Sequence, residues 1–138
     1  MAEPGARIVH HDLCFGCGQA NRFGLQLEVS AREGGGVAGR FFVKQDHQGP
    51  PGFAHGGVLA TALDETMALL LHAQGALALT ARFEVELLAP VPIGTFVEVE
   101  AAIEEEQGRR LLLAAEATAQ DGGETLARAR GTLVRISS

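Results

Sequence analysis

The chain has 138 residues, which suits one domain around one hydrophobic core. Apolar residues make up 46% of it and charged residues 20%, a balance that excludes a disordered chain. The net charge is -6 and the basic residues are scattered, so the concentrated positive charge of a nucleic-acid groove is missing. No charged segment leads into an apolar one at the N-terminus, and the longest apolar stretch, Val58 to Ala73, is broken by Asp64 and Glu65. Neither a signal peptide nor a membrane span is therefore expected, and the chain reads as cytoplasmic.

The first ten or so residues lack periodicity and read as a mobile or loosely packed segment, within an N-terminal lead-in at residues 1–20 that precedes a single domain at residues 21–138. Leu25, Leu27 and Val29 alternate with Gln26, Glu28 and Ser30, the period of a half-buried strand. Glu33-Gly34-Gly35-Gly36 is a turn signal, and Val37 to Val43 completes a hairpin. Gly49-Pro50-Pro51-Gly52 makes Asp46 to Ala54 a loop, because consecutive prolines deny a ladder its donors. The spacing then predicts a helix from Gly56 to about Ala73, stopped by Gly75 and apolar nearly all round, as a helix enclosed by other structure should be. Strands are expected at about Leu77–Leu88, Phe96–Glu105, Arg109–Ala119 and Thr125–Ile136, with turns at Gln107-Gly108 and Asp121-Gly122-Gly123. In the first of these, Leu77, Leu79, Ala81, Phe83, Val85 and Leu87 would share one face, and Thr80, Arg82, Glu84 and Glu86 the other. The fold class is therefore α+β, with one long central helix wrapped by a curved antiparallel sheet of about six strands, which is the hotdog architecture.

The stretch from Gly52 to Glu65 carries the chemistry. Gly56 and Gly57 at a helix start let backbone amides approach a ligand closely. The first turn leaves its N–H groups unpaired at the positive end of the helix dipole. Together they could cradle the oxyanion of a thioester carbonyl, although a glycine pair would equally permit tight helix–sheet packing. Asp64 lies two turns further on in an apolar run. Burial of an uncompensated polar group costs roughly 2–7 kcal/mol, so Asp64 needs either a role as base or nucleophile or a partner such as Arg82. Glu65, about 100° further round the helix, would pair with His72 instead.

His55-Gly56-Gly57, with Asp64 nine positions after the histidine, resembles the PaaI-like acyl-CoA thioesterases of the hotdog superfamily. Cys14-Phe15-Gly16-Cys17-Gly18 followed by Asn21-Arg22-Phe23-Gly24-Leu25 is similar to a lead-in of one branch, and Pro90-Val91-Pro92-Ile93-Gly94 to a turn after the third strand. The resemblance implies hydrolysis of an acyl-CoA, with the Gly57 and Gly56 amides polarising the carbonyl and Asp64 of a neighbouring subunit activating water or attacking directly. It implies a homodimer with the active site at the subunit interface, alone or paired into a tetramer. Thr80 matches a serine or threonine that positions the water, and His55 orients the loop. His47 and Gln48 are assigned to the acyl or pantetheine channel and, with Asn21, make up the expected substrate-binding set.

Two other functions share this fold. A hydroxyacyl-thioester dehydratase is echoed by Asp46-His47 and Gly57-Val58-Leu59, but its helix glutamate would fall near Thr61 and Ala62. A non-catalytic acyl-CoA-binding module is the other. Cys14-x-x-Cys17 with His10 and His11 nearby has ingredients of a four-ligand zinc site. A single Cys-x-x-Cys is a weak signal, however, and adjacent histidines are poorly placed to share an ion. The cysteines are expected to pack within the lead-in, with no metal and no cofactor.

Overall fold

A computed structural model describes residues 3–120 and 123–137. Its elements run β1 (Arg7–Ile8), β2 (Glu28–Ala31), β3 (Val37–Phe42), α1 (Gly56–Ala73), β4 (Leu77–Leu87), β5 (Phe96–Gln107), β6 (Arg110–Ala119) and β7 (Thr125–Ser137). The strands form one curved antiparallel sheet in the order β1-β2-β3-β5-β6-β7-β4, and α1 lies against its inner face, touching every strand. No helix among the described residues is long and apolar enough to cross a membrane.

The helix is apolar nearly all round because the sheet encloses it. Leu59, Ala62, Leu63, Met67, Leu69, Leu70 and Leu71 are all buried, each large one contributing about 1.5–3 kcal/mol. Buried Thr66 satisfies its hydroxyl by donating to the Ala62 carbonyl at 2.6 Å, so it adds no orphaned polar group. Opposite the helix, Ala101 on β5 pairs with Ala115 on β6, which pairs with Ala129 on β7. This row of small side chains across three strands lets the sheet come close to α1.

Three expectations are corrected. The lead-in is tied down rather than loose: Arg7 and Ile8 pair with Ser30 and Val29, and Ile8 is buried. Leu25, Leu27 and Val29 are buried as the alternation requires, but the ladder begins only at Glu28, since Gln26 takes a φ of 52°. Third, the faces of β4 do not alternate evenly. Its register with β7 slips between Thr80 and Arg82, a bulge that inserts Ala81 and shifts the parity. Leu77 and Leu79 consequently stand exposed at 54% and 59%, while Thr80 joins Phe83 and Val85 on the helix side. The expected turn at Asp121-Gly122-Gly123 lies partly outside the described residues.

Candidate functional site

The start of α1 is set by the loop before it. Pro50 to Phe53 closes a turn, with the Phe53 N–H donating to the Pro50 carbonyl at 2.9 Å. Pro51 and Gly52, the latter at a φ of 87°, suit the two central positions of a type II turn. The loop is pinned to the segment after β4, where the Ala54 N–H donates to the Val91 carbonyl at 2.8 Å and the Ile93 N–H to that of Gly52 at 3.0 Å. A 3-10 turn at Gln45–His47 supports it from the other side, the His47 carbonyl accepting from the His55 N–H at 2.8 Å.

His55 is the N-cap of α1. Its Nδ1 accepts from the Gly57 N–H at 2.9 Å. The Gly56 N–H finds no acceptor among the described residues. Close packing also accounts for both glycines. A Cβ on Gly56 would stand 2.7 Å from Leu87 Cδ1, and one on Gly57 would stand 3.0 Å from His55 Nδ1. One free amide and one lent to an imidazole therefore face the open end of the helix.

Asp64 is half-buried, and among the described residues its partner is neither Arg82 nor any other cation. Thr80 Oγ1 donates to Asp64 Oδ1 at 2.7 Å, a contact made possible by the β4 bulge that turns Thr80 inward. Arg82 is engaged by Glu84 at 3.1 Å on the exposed side. One carboxylate oxygen is thus held and the pair lies toward the open edge of β4. Along this edge Leu77, Leu79 and Leu87 are 54%, 59% and 55% exposed, and β7 is the one strand that β4 pairs with among the described residues. A separate groove of about 640 Å³ lies on the sheet, lined by Glu84, Ala102, Ala114, Glu116, Arg128 and Arg130 among others, and its lining includes neither Asp64 nor Thr80.

The expected substrate-binding residues fall differently. His47 is 3% exposed, its Nδ1 accepting from the Lys44 N–H at 3.1 Å and its Nε2 donating to the Gly24 carbonyl at 3.2 Å. Burial lowers its pKa despite the Gly24 contact. Both ring nitrogens are thus engaged by backbone groups that fix the loop. Asn21 likewise closes the lead-in, donating to the Leu13 carbonyl at 3.0 Å and accepting from the Phe23 N–H at 3.1 Å. Gln48 is exposed and accepts from the Gly52 N–H, within the loop that presents His55.

A second constellation was only partly read from the sequence, which grouped Cys14 and Cys17 with His10 and His11 but not with Glu65. Glu65 pairs with His10, not His72: Oε2 lies 2.8 Å from His10 Nδ1 and 3.3 Å from Cys14 Sγ. Cys17 Sγ stands 3.8 Å from the same imidazole nitrogen. His72 packs edge-on against His10 at 4.9 Å between ring centroids. Contacts with Cys17 and then Glu65 push His10 up to about 11 against the opposing effect of burial. Burial acts to raise Glu65, but His10 and the thiols outweigh it and leave the carboxyl below its ordinary range. The available signal was a histidine four residues before Cys14 and an acid facing away from Asp64.

Known proteins resemble this chain in the same region. A sequence profile of the thioesterase superfamily matches residues 51–126, a span holding His55, Gly56, Gly57, Asp64 and Thr80. The acyl-coenzyme A thioesterase THEM4 of Xenopus laevis is 33% identical over 75 residues, 54% of this chain and 33% of that protein. The chain spans about a third of the length of the curated relatives it matches. A mutant of the phenylacetic acid degradation protein PaaI from Thermus thermophilus has a TM-score of 0.72 at 26% identity, covering 80% of this chain and 93% of that one. A hypothetical thioesterase protein with coenzyme A from Streptococcus pneumoniae shares the fold, with a TM-score of 0.76 at 19% identity, covering 81% and 90%. The hotdog expectation is met.

Proposed function

The chain belongs to the thioesterase superfamily, and on that premise we propose that it hydrolyses an acyl-CoA to a carboxylic acid and CoA. The observation that carries this reading is Asp64, half-buried on α1 and held by Thr80 rather than neutralised by a cation. Thr80 occupies one carboxylate oxygen and leaves the other to take a proton from water, or to attack the thioester carbon itself and form an acyl anhydride that water then hydrolyses. The amides of Gly56 and Gly57 receive the carbonyl oxygen, and the CoA thiolate leaves as the tetrahedral intermediate collapses. An incoming oxygen must share the Gly57 N–H with His55 Nδ1 or displace that ring, so His55 is a positioning residue.

Geometry favours a site made by two copies. Asp64 follows Gly57 by seven helical residues, which separates them by about 10 Å along the axis. One carbonyl cannot lie about 3 Å from both. If both act on it, they come from different chains. The long edge strand β4 with its exposed leucines is the surface that a second copy would cover. Coenzyme A on the Streptococcus pneumoniae relative supports the ligand class.

The deciding experiment is free-thiol release from a panel of acyl-CoAs by the parent chain and by Asp64→Asn. Equal hydrolysis by both would remove Asp64 from the mechanism. Binding without turnover would move the reading to an acyl-CoA-binding module, and enoyl formation to a hydroxyacyl-thioester dehydratase. Sedimentation of the active protein and of Leu79→Asp tests the shared site, since a monomer with full activity would overturn it.

A further inference from the structure

We propose that His10, Cys14, Cys17 and Glu65 form a tetrahedral zinc site that clamps the N-terminal segment onto α1. One ligating atom from each of the four lies within 4.8 Å of all the others. Of the separations, Nδ1 to Oε2 is 2.8 Å, Sγ of Cys14 to Oε2 is 3.3 Å, and Nδ1 lies 3.7 Å from Cys14 Sγ and 3.8 Å from Cys17 Sγ. Ligands bonded to zinc at about 2.0–2.3 Å stand about 3.3–3.8 Å apart along the edges of a tetrahedron. The side chains are therefore already near the required shell, and small rotations complete it.

The backbone is arranged for the same purpose. Cys14 and Cys17 sit on a tight turn, in which the Gly18 N–H donates to the Cys14 carbonyl at 2.8 Å. The turn is zipped to the next segment by the Leu25 N–H on the Phe15 carbonyl and the Leu27 N–H on the Gly16 carbonyl, both at 2.9 Å. The His10 N–H points at Cys17 Sγ from 3.2 Å, an outer contact that favours thiolate over thiol. Gly16 presses on the acid: a Cβ there would stand 2.5 Å from Glu65 Cγ. Cys17 is fully buried and the Glu65 side chain is 13% exposed. Four protein ligands leave no open position, so the ion is structural rather than catalytic. Coordination releases the two thiol protons and the Nδ1 proton of the His10 imidazolium to solvent, and the dication then offsets two of the three anionic donors, the two thiolates and the Glu65 carboxylate.

Adjacency gives the site a consequence. Glu65 follows Asp64 on α1, so an ion that fixes Glu65 also fixes the rotation of the helix that presents Asp64. The test is a titration of the full, chelator-stripped and reduced chain with cobalt(II) alone. Thiolate-to-cobalt charge-transfer and tetrahedral d–d bands should saturate at about one equivalent per chain and be bleached by zinc. Glu65→Gln, chosen because it keeps shape and hydrogen bonding, should weaken zinc binding at least about tenfold, and Cys14→Ser should remove much of the charge-transfer band. Absence of these bands in the parent chain, with both thiols shown free by a thiol reagent, would overturn the site. So would bands that persist unchanged in both variants. Because the decisive titration uses the unmutated chain, failure of a variant to fold does not rescue the proposal.

Discussion

Asp64 and Glu65 are consecutive on one helix, yet they face different worlds. Successive helical residues are turned by about 100°, which points Asp64 toward the open β4 edge and Glu65 toward the lead-in. Asp64 has a hydroxyl partner at 2.7 Å, whereas Glu65 has an imidazole at 2.8 Å and a thiol at 3.3 Å. The first carboxylate retains an oxygen that can act on something else. The second is surrounded by groups that consume it. A carboxylate left short of partners beside an open edge can do chemistry, and one with its partners in place holds a structure together.

Separating the two residues by mutation should produce the largest effect. Asp64→Asn should lower turnover by roughly 10²–10⁴ with little change in thermal midpoint. Glu65→Gln should keep turnover within a few-fold while lowering the midpoint and, in the zinc-bound protein, its metal content. Thiol-release kinetics paired with thermal melts read both, and equal loss of activity in the two variants would break the comparison.

Next comes Thr80. A hydrogen bond to a charged group is worth about 1.5–3 kcal/mol, so Thr80→Val should cost roughly ten- to a hundredfold in kcat while Thr80→Ser restores most of it. An inert Thr80→Val would reduce this residue to a strand-former. His55→Ala removes the cap of α1 and should cost about 0.5–2 kcal/mol of stability, measured by urea unfolding, and it frees the Gly57 amide that an oxyanion would use.

The smallest effect is the pH response of His47. Burial holds His47 below its usual 6.5. The unfolded chain therefore takes up a proton near 6.5 that the fold resists, and stability present above 6.5 is lost as pH falls through that value. His47→Gln should flatten this slope in urea unfolding. His10 runs the other way in metal-free protein. Raised from 6.5 to about 11, it stabilises fully below 6.5 and its contribution is lost as pH rises toward about 11.

Most of the fold was legible because hydrophobic period reports burial directly. The helix Gly56–Ala73 has the bounds expected of it, and the later strands sit within a residue or two of their expected ends. What misled was the parity of β4. Alternation assumes an unbroken pleat, and one inserted residue at Ala81 reverses the faces on either side of it. Thr80 was singled out from the sequence but placed with the polar residues of the outer face; the bulge brings it to Asp64. Nothing local reveals that both nitrogens of His47 meet backbone groups, one of them the Gly24 carbonyl twenty-three residues away.

The sequence by itself determined the helix, the loop that caps it, and the glycine-rich start with an acid two turns on, since each depends on residues close along the chain. Tertiary structure alone decided what each acid meets. Thr80 lies sixteen residues from Asp64 and His10 fifty-five from Glu65, and local patterns carry no information about contacts at such separations. Closure of the sheet around α1 brings one acid to an open edge and seals the other against two cysteines and a histidine.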